Sequence, residues 1–117
     1  MSKEKNNNNS SIKERHLDIH FKVMDLVHKN SDITQRELAN KLGISLGSIH
    51  YCLKALAHKG WIKAGNFKNN PKKSGYLYLL TPEGITRKSK LGIDFIKRKK
   101  EEFERLKLEI DQFSKSK

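Results

Sequence analysis

The 117-residue sequence predicts a mainly α-helical fold with one small β-hairpin and a long helix at its C-terminal end. Two observations predict the helices: apolar residues recur at three- and four-residue spacing, and polar capping patterns separate the stretches. A third observation predicts the hairpin, because the spacing changes to strict alternation only after Gly60. The predicted boundaries are a disordered polar tail at 1–11, a compact domain at 12–81, a long helix at 82–113 and a tail at 114–117.

The first helix is predicted from about Ile12 to Asn30. The preceding residues include four consecutive asparagines and bury no apolar surface, so they cannot offset the entropy of ordering the backbone. Within the helix, the residues at helical spacing that we expect to face a core are Leu17, Phe21, Val23, Met24, Leu26 and Val27.

Two shorter helices joined by a tight turn follow. Thr34 and Glu37 form a capping-box pattern at the start of a helix that ends at Leu42. Gly43 can close that helix in a left-handed conformation, and Ser45 can cap a second helix that continues to about Lys59. The apolar stripe of the second helix comprises Ile49, Cys52, Leu53 and Leu56. This arrangement is a helix-turn-helix.

The alternating runs 61–67 and 75–80 predict a β-hairpin around the polar loop 68–74. Thr81, Pro82 and Glu83 then predict the start of a helix of roughly 32 residues, about 48 Å long, which is too long for so small a core. Heptad spacing places apolar residues on one seam of that helix. The predicted dimerisation residues are Ile96, Phe103, Leu106, Ile110 and Phe113. With no partner expected within the chain, the seam predicts a homodimer through a C-terminal coiled coil.

Charge and composition exclude several classes of protein. The net charge is +12 and the pI about 9.9, which favours a polyanionic partner such as nucleic acid. No apolar stretch suits a membrane span or a signal peptide, and a single cysteine supplies no disulfide, so we expect a cytoplasmic, nucleoid-associated protein without membrane contact.

Candidate catalytic or metal-ligating residues are few. His16 and His20 lie four residues apart but lack a third ligand at motif spacing, so we interpret them as polar residues on a helix surface. Cys52 belongs to an apolar stripe and is interpreted as a small core residue. No glycine-rich phosphate loop is present in the sequence. We therefore expect neither enzymatic activity nor a metal or cofactor.

The polar side of the second short helix predicts a surface that contacts double-stranded DNA. A helix in the major groove needs small residues near its N-terminus for close approach and hydrogen-bonding groups further along for base edges and phosphates. The preceding helix and the lysine-rich hairpin loop would contact the DNA backbone. The predicted DNA-binding residues are Gln35, Arg36, Ser45, Leu46, Gly47, Ser48, His50, Tyr51, Lys54, Lys68, Asn69, Lys72 and Lys73.

Several segments together resemble the winged helix-turn-helix of MarR-type transcriptional regulators, and in particular the branch associated with exopolysaccharide (EPS) gene clusters. The segments are TQRELANKLGIS (34–45), IHYCLKAL (49–56), KGWI (59–62) and LLTPEGI (79–85). The resemblance implies a bacterial cytoplasmic dimer that contacts DNA through 45–54 and the hairpin loop. In that family, helices from both ends of the chain build the dimer interface, and a ligand pocket lies near it. The polar N-terminal tail departs from this pattern, which puts a small-molecule effector in doubt.

These observations predict a sequence-specific transcriptional regulator that binds an inverted repeat as a homodimer and controls a surface-polysaccharide or related gene cluster. Two alternatives stay open at this point. The same lysines would serve a sequence-independent architectural or replication-associated winged-helix protein, and the long helix would serve a protein-interaction module without DNA affinity.

Overall fold

The computed structural model describes the backbone of residues 2–66 and 76–115, and the side chains of residues 11–65 and 78–115. Four helices and two antiparallel strands follow one another in these ranges. They are α1 (Ser2–Lys29), α2 (Gln35–Leu42), α3 (Leu46–His58), β1 (Ile62–Asn66), β2 (Tyr76–Leu80) and α4 (Pro82–Lys115). The predicted mainly α-helical fold, with its small hairpin and long last helix, is confirmed.

The α2–α3 turn forms as its capping residues predict. The Thr34 hydroxyl accepts the Glu37 N–H at 3.0 Å, and the Glu37 carboxylate accepts the Thr34 N–H at 2.8 Å. Gly43 closes α2 at φ 66°, a conformation that favours glycine because it has no Cβ. Ser45 caps α3 by accepting the Ser48 N–H at 3.0 Å. Each cap satisfies a backbone donor that the helix start leaves without a partner.

One small core lies between α1, α2, α3 and the base of the hairpin. The predicted stripe of α3 is buried in it, as are three of the apolar residues predicted in α1. The buried core residues are Val23, Met24, Val27, Ile33, Leu38, Ala39, Ile49, Cys52, Leu53, Leu56 and Ile62. Leu17, Phe21 and Leu26 are only half-buried. The Phe21 side chain faces α4, whereas Leu26 packs at the edge of the core.

Backbone hydrogen bonds close the hairpin at its base and join it to the loop between α1 and α2. Strand β1 pairs antiparallel with β2 in a register that sets Ile62 opposite Leu80. The Tyr78 N–H donates to the Ser31 carbonyl at 3.1 Å, and the Thr81 N–H donates to the Trp61 carbonyl at 3.0 Å. The hairpin therefore leaves the domain in a fixed direction directly after α3.

The first half of α4 packs antiparallel against α1, which corrects the expectation that this helix has no partner within the chain. The rings of Phe21 and Phe95 lie 5.3 Å apart, and the Arg98 guanidinium donates to Asp18 at 2.5 Å. From residue 101 to residue 115, every side chain is exposed. Only the second half of α4 thus extends away from the described domain.

Two glycines set the distance between α4 and the rest of the domain. A Cβ at Gly84 would lie 1.9 Å from the Trp61 carbonyl oxygen, and a Cβ at Gly92 would lie 2.9 Å from the Phe21 ring. Both positions are buried. Gly92 is therefore a close-packing point between α4 and α1.

The N-terminal boundary differs from the prediction of a disordered tail, because α1 begins at Ser2. Adding residues to an existing helix gains one hydrogen bond for each residue fixed, whereas starting a helix is costly, so a long helix extends readily into a polar segment. At the other end, α4 ends at Lys115 and not at Phe113. No helix within the described ranges has an apolar stretch of the length that crossing a membrane requires.

Candidate nucleic-acid interface

The exposed side of α3 is a continuous, mostly polar surface opposite its buried stripe. Tyr51 is the most prominent residue on it, with 74% of its surface exposed, although an aromatic side chain of this size usually finds cover. Its neighbours on this side are also exposed. We call this surface the recognition face: Leu46, Gly47, Ser48, His50, Tyr51 and Lys54.

The composition of the recognition face changes along α3. Gly47 and Ser48, in the first turn, are small and leave the backbone accessible, while His50, Tyr51 and Lys54 carry donors and an aromatic ring further on. The Ser45 hydroxyl caps the helix and also donates to the Ser48 hydroxyl at 2.9 Å. Close approach near the helix start and hydrogen-bonding groups beyond it are what insertion into a major groove requires.

The two predicted residues of α2 differ in their availability. Arg36 is exposed. The Gln35 side chain is part-buried, and its amide donates to the Tyr78 hydroxyl at 3.1 Å. Gln35 therefore joins α2 to β2, and a DNA contact from it would compete with this hydrogen bond. The loop residues Lys68, Asn69, Lys72 and Lys73, also predicted to bind DNA, lie outside the described residues.

A cleft lies on each side of the recognition face. Between α3 and the hairpin is a groove of about 170 Å³, whose walls include His50, Lys54 and Tyr78. Between α3 and α1 is a wider cavity of about 420 Å³, which we call the interhelical cleft. Its lining residues are His16, Ile19, His20, Ser45, Gly47, Ser48, Tyr51 and Cys52. The recognition face thus stands out as a ridge between two depressions.

His20 is not the solvated surface residue that the sequence suggested. It is half-buried against α3, and its Nδ1 atom is buried without a hydrogen-bond partner. Burial, followed by the charges of Lys59 and His16, lowers the pKa of His20 below its usual value. The sequence held a signal for this, because positions 16, 20, 23 and 27 share one side of a helix and the last two are core valines.

Cys52 lies in the core, as predicted. Burial raises the pKa of its thiol to about 11, although the charge of Lys59 opposes the shift. A thiol with this pKa is almost entirely protonated near neutral pH and is a poor nucleophile. In the described ranges, no group of three or more His, Cys, Asp and Glu residues is arranged to hold a metal ion.

The apolar seam predicted on α4 is solvent-exposed in the single chain. The exposed fractions of its five residues, Ile96, Phe103, Leu106, Ile110 and Phe113, range from 51% to 69%. A row of large exposed apolar side chains along one helix is a feature typical of protein-interaction surfaces. The seam lies beyond the part of α4 that packs on α1, except for Ile96.

Comparison with known proteins agrees with this geometry. A family model described as winged helix-turn-helix DNA-binding matches residues 17–63. This range comprises the second half of α1, both short helices and the start of β1. The chain therefore contains a winged helix-turn-helix domain, as the sequence predicted.

One similar protein is the HTH-type transcriptional regulator LrpA of Pyrococcus horikoshii, 39% identical over 70 residues. The match covers 59% of this chain and 49% of LrpA, so the chain spans about half the length of that relative.

Two solved structures share the fold. ZitR of Lactococcus lactis, as a double mutant in apo form, gives a TM-score of 0.60 at 19% identity over 87% of this chain and 75% of ZitR. A mutant of MarR from E. coli complexed with operator DNA gives 0.54 at 26% identity, over 70% of this chain and 64% of MarR. The MarR-type fold is thereby supported, whereas membership of the exopolysaccharide-associated branch stays a prediction.

Proposed function

We propose that this chain is a sequence-specific DNA-binding transcriptional regulator that binds an inverted repeat as a homodimer. The observation that carries the proposal is the recognition face. It combines small residues at the start of α3, donors further along and a Tyr51 side chain that the fold leaves uncovered. Tyr51 and Ser48 are the side chains we assign to base edges, and Arg36 and Lys54 to the DNA backbone.

The fold favours insertion of α3 over any other described element. Ile49, Leu53 and Leu56 anchor the opposite side of this helix in the core, so the recognition face is held rigidly. A helix with its side chains is about 10–12 Å across and the major groove is about 12 Å wide, so the ridge between the two clefts fits the groove. The loop residues Lys68, Asn69, Lys72 and Lys73 would follow the flanking backbone as part of the same proposal.

The homodimer is proposed to form through the apolar seam. Two copies of α4 would bury Ile96, Phe103 and Ile110 against each other, with the flanking charges left in solvent. A two-fold arrangement would place two α3 helices against successive major grooves, about 34 Å apart, which predicts two half-sites separated by one helical turn.

The target we propose is a gene cluster for a surface polysaccharide. This part rests only on the similarity of the segments 51–56, 59–61, 66–67 and 79–85 and of the basic-then-acidic last helix to the exopolysaccharide-associated branch. Genome-wide capture of DNA crosslinked to the native protein would test it. Enrichment confined to promoters of unrelated pathways would refute this assignment and leave the DNA-binding proposal intact.

The experiment that tests DNA binding compares the promoter region of the chain's own gene with a shuffled duplex of equal length. At about 0.15 M salt with excess competitor, we expect a preference of at least about 10³-fold for the native region. Ser48→Ala and Tyr51→Ala should reduce that preference, whereas Lys54→Ala should weaken binding to both duplexes alike. Equal affinity for both duplexes, falling steeply with salt, would favour the sequence-independent alternative.

The dimer has a separate test. Phe103→Asp combined with Ile110→Asp is expected to halve the mass in sedimentation equilibrium, because two charges would have to be buried in the seam. Glu104→Lys, on the same stretch of α4 but on the side away from the seam, is the matched control and should leave the mass unchanged. A wild-type chain that sediments as a monomer at micromolar concentration would refute the coiled-coil dimer.

A further inference from the structure

The interhelical cleft is not used by the recognition face itself, yet it shares a wall with it. Ser45, Gly47, Ser48 and Tyr51 form the α3 side of the cleft, and His16, Ile19 and His20 form the α1 side. The mouth of the cleft therefore opens beside the first turns of the helix that we propose to enter the major groove.

The width of the DNA major groove determines which part of the DNA would lie against the cleft. Since an α-helix with side chains nearly fills a major groove of about 12 Å, a surface directly beside α3 faces the sugar-phosphate backbone that borders the groove. That backbone is a convex ridge of anions, and the cleft is a concavity of about 420 Å³ next to the inserted helix. The two shapes are complementary.

The acidic residues of α1 that face the domain lie on the side towards α4, which leaves the cleft without a negative charge that would repel an anion. Asp18 pairs with Arg98 at 2.5 Å, and Asp25 pairs with Lys88 at 3.1 Å. Both partners belong to α4, on the side of α1 away from α3. Among the described residues that line the cleft there is no carboxylate, and two imidazoles face the hydroxyls of α3.

We propose that the interhelical cleft receives a DNA backbone phosphate and that His16 on α1 is a further DNA-contact residue. This inference rests on the proposed function and extends the interface onto a helix outside the helix-turn-helix. His16 is exposed at the cleft, so its N–H can reach a phosphate oxygen without rearrangement of the core. His20 lies deeper and is half-buried, so its part is to shape the floor of the cleft.

The test measures affinity for the promoter duplex and for its shuffled counterpart with wild type, His16→Ala and His28→Ala. His28 is an exposed histidine in the last turn of the same helix, about 18 Å further along, and is the matched control. We expect His16→Ala to weaken binding to both duplexes about threefold to tenfold, because one phosphate hydrogen bond is lost. His28→Ala should bind as wild type, and His16→Gln, which keeps an N–H donor, should recover part of the loss.

A second measurement locates the phosphate. Neutral methylphosphonates replace single phosphates, one at a time, along each strand of the duplex. At one position we expect the replacement to weaken binding by the wild type without weakening binding by His16→Ala any further, because that variant already lacks the contact. If His16→Ala binds as tightly as wild type while wild type discriminates between the duplexes, the cleft contact is wrong and the proposed function stands. A second outcome is that the wild type binds both duplexes equally, while one methylphosphonate position weakens only the wild type and not His16→Ala. In that case the cleft contact stands and the proposal of sequence-specific binding is refuted.

Discussion

Gly84→Ala is predicted to destabilise the fold strongly, although the same exchange in an exposed helix is favourable. Alanine in place of glycine inside a helix gains about 1 kcal/mol. At Gly84, however, the new Cβ would lie 1.9 Å from the Trp61 carbonyl oxygen and 2.8 Å from its carbonyl carbon. Ordinary contact begins at 3.4 Å, so α4 would have to move away from Trp61 by about 1.5 Å.

The cost of that movement follows from two hydrogen bonds that the carbonyls of Trp61 and Gly60 accept from Thr81. The Trp61 carbonyl accepts the Thr81 N–H at 3.0 Å, and the Thr81 hydroxyl donates to the Gly60 carbonyl at 2.6 Å. Losing both hydrogen bonds costs about 2 kcal/mol, and forcing an extra methyl group into a packed contact costs about 1–3 kcal/mol. After the gain in helix propensity, the free energy of unfolding should fall by about 3 kcal/mol, which lowers Tm by about 10 °C or more.

The matched control is Gly47→Ala, because Gly47 is also helical but a Cβ there would meet only the Ser45 hydroxyl, at 4.0 Å. It should raise the free energy of unfolding by about 0.5–1 kcal/mol while placing a methyl group on the recognition face. Thermal and urea melts followed by circular dichroism at one fixed protein concentration would measure both variants. A Gly84→Ala protein as stable as wild type would refute the described packing of α4 against Trp61.

Three further predictions concern buried groups. The pKa of His20 is lowered in the fold from 6.5 by burial and by Lys59 and His16, so the unfolded chain binds the proton more readily. Stability should therefore be full above about pH 6.5 and decline as the pH falls toward the lowered folded value, and urea melts at pH 5.5 and 7.5 should show a smaller decline for His20→Gln. Cys52, with a pKa raised to about 11, should resist iodoacetamide at pH 8 in the native protein and react in urea, and rapid native alkylation would contradict its burial. Asp18→Ala should lower the free energy of unfolding in a urea melt by about 1–2 kcal/mol, because it removes the partner of the mostly covered Arg98 guanidinium. In a double-mutant cycle, Asp18→Ala should cost less in the Arg98→Ala background than in the wild type.

The candidate interface was predictable to the extent that it depends on one helix. The spacing of Ile49, Leu53 and Leu56 fixes which side of α3 is buried, and the opposite side follows from helical geometry alone. Contacts between elements were not predictable in this way. The hydrogen bond from Gln35 to Tyr78 joins residues 43 positions apart, and no local pattern in the sequence indicates it.

The sequence by itself determined much of the local structure: the number of helices, the α2–α3 turn, the place of the hairpin and the apolar side of each short helix. Caps and helical periodicity act within a few residues, so Thr34, Gly43 and Ser45 suffice to place the α2–α3 turn. The tertiary structure alone decided that the first half of α4 packs on α1 and that His16 lines a cleft beside the recognition face. Both features depend on distances between segments far apart in the chain. For α4, these distances are set by the close packing of Gly84 on the Trp61 carbonyl and of Gly92 on the Phe21 ring.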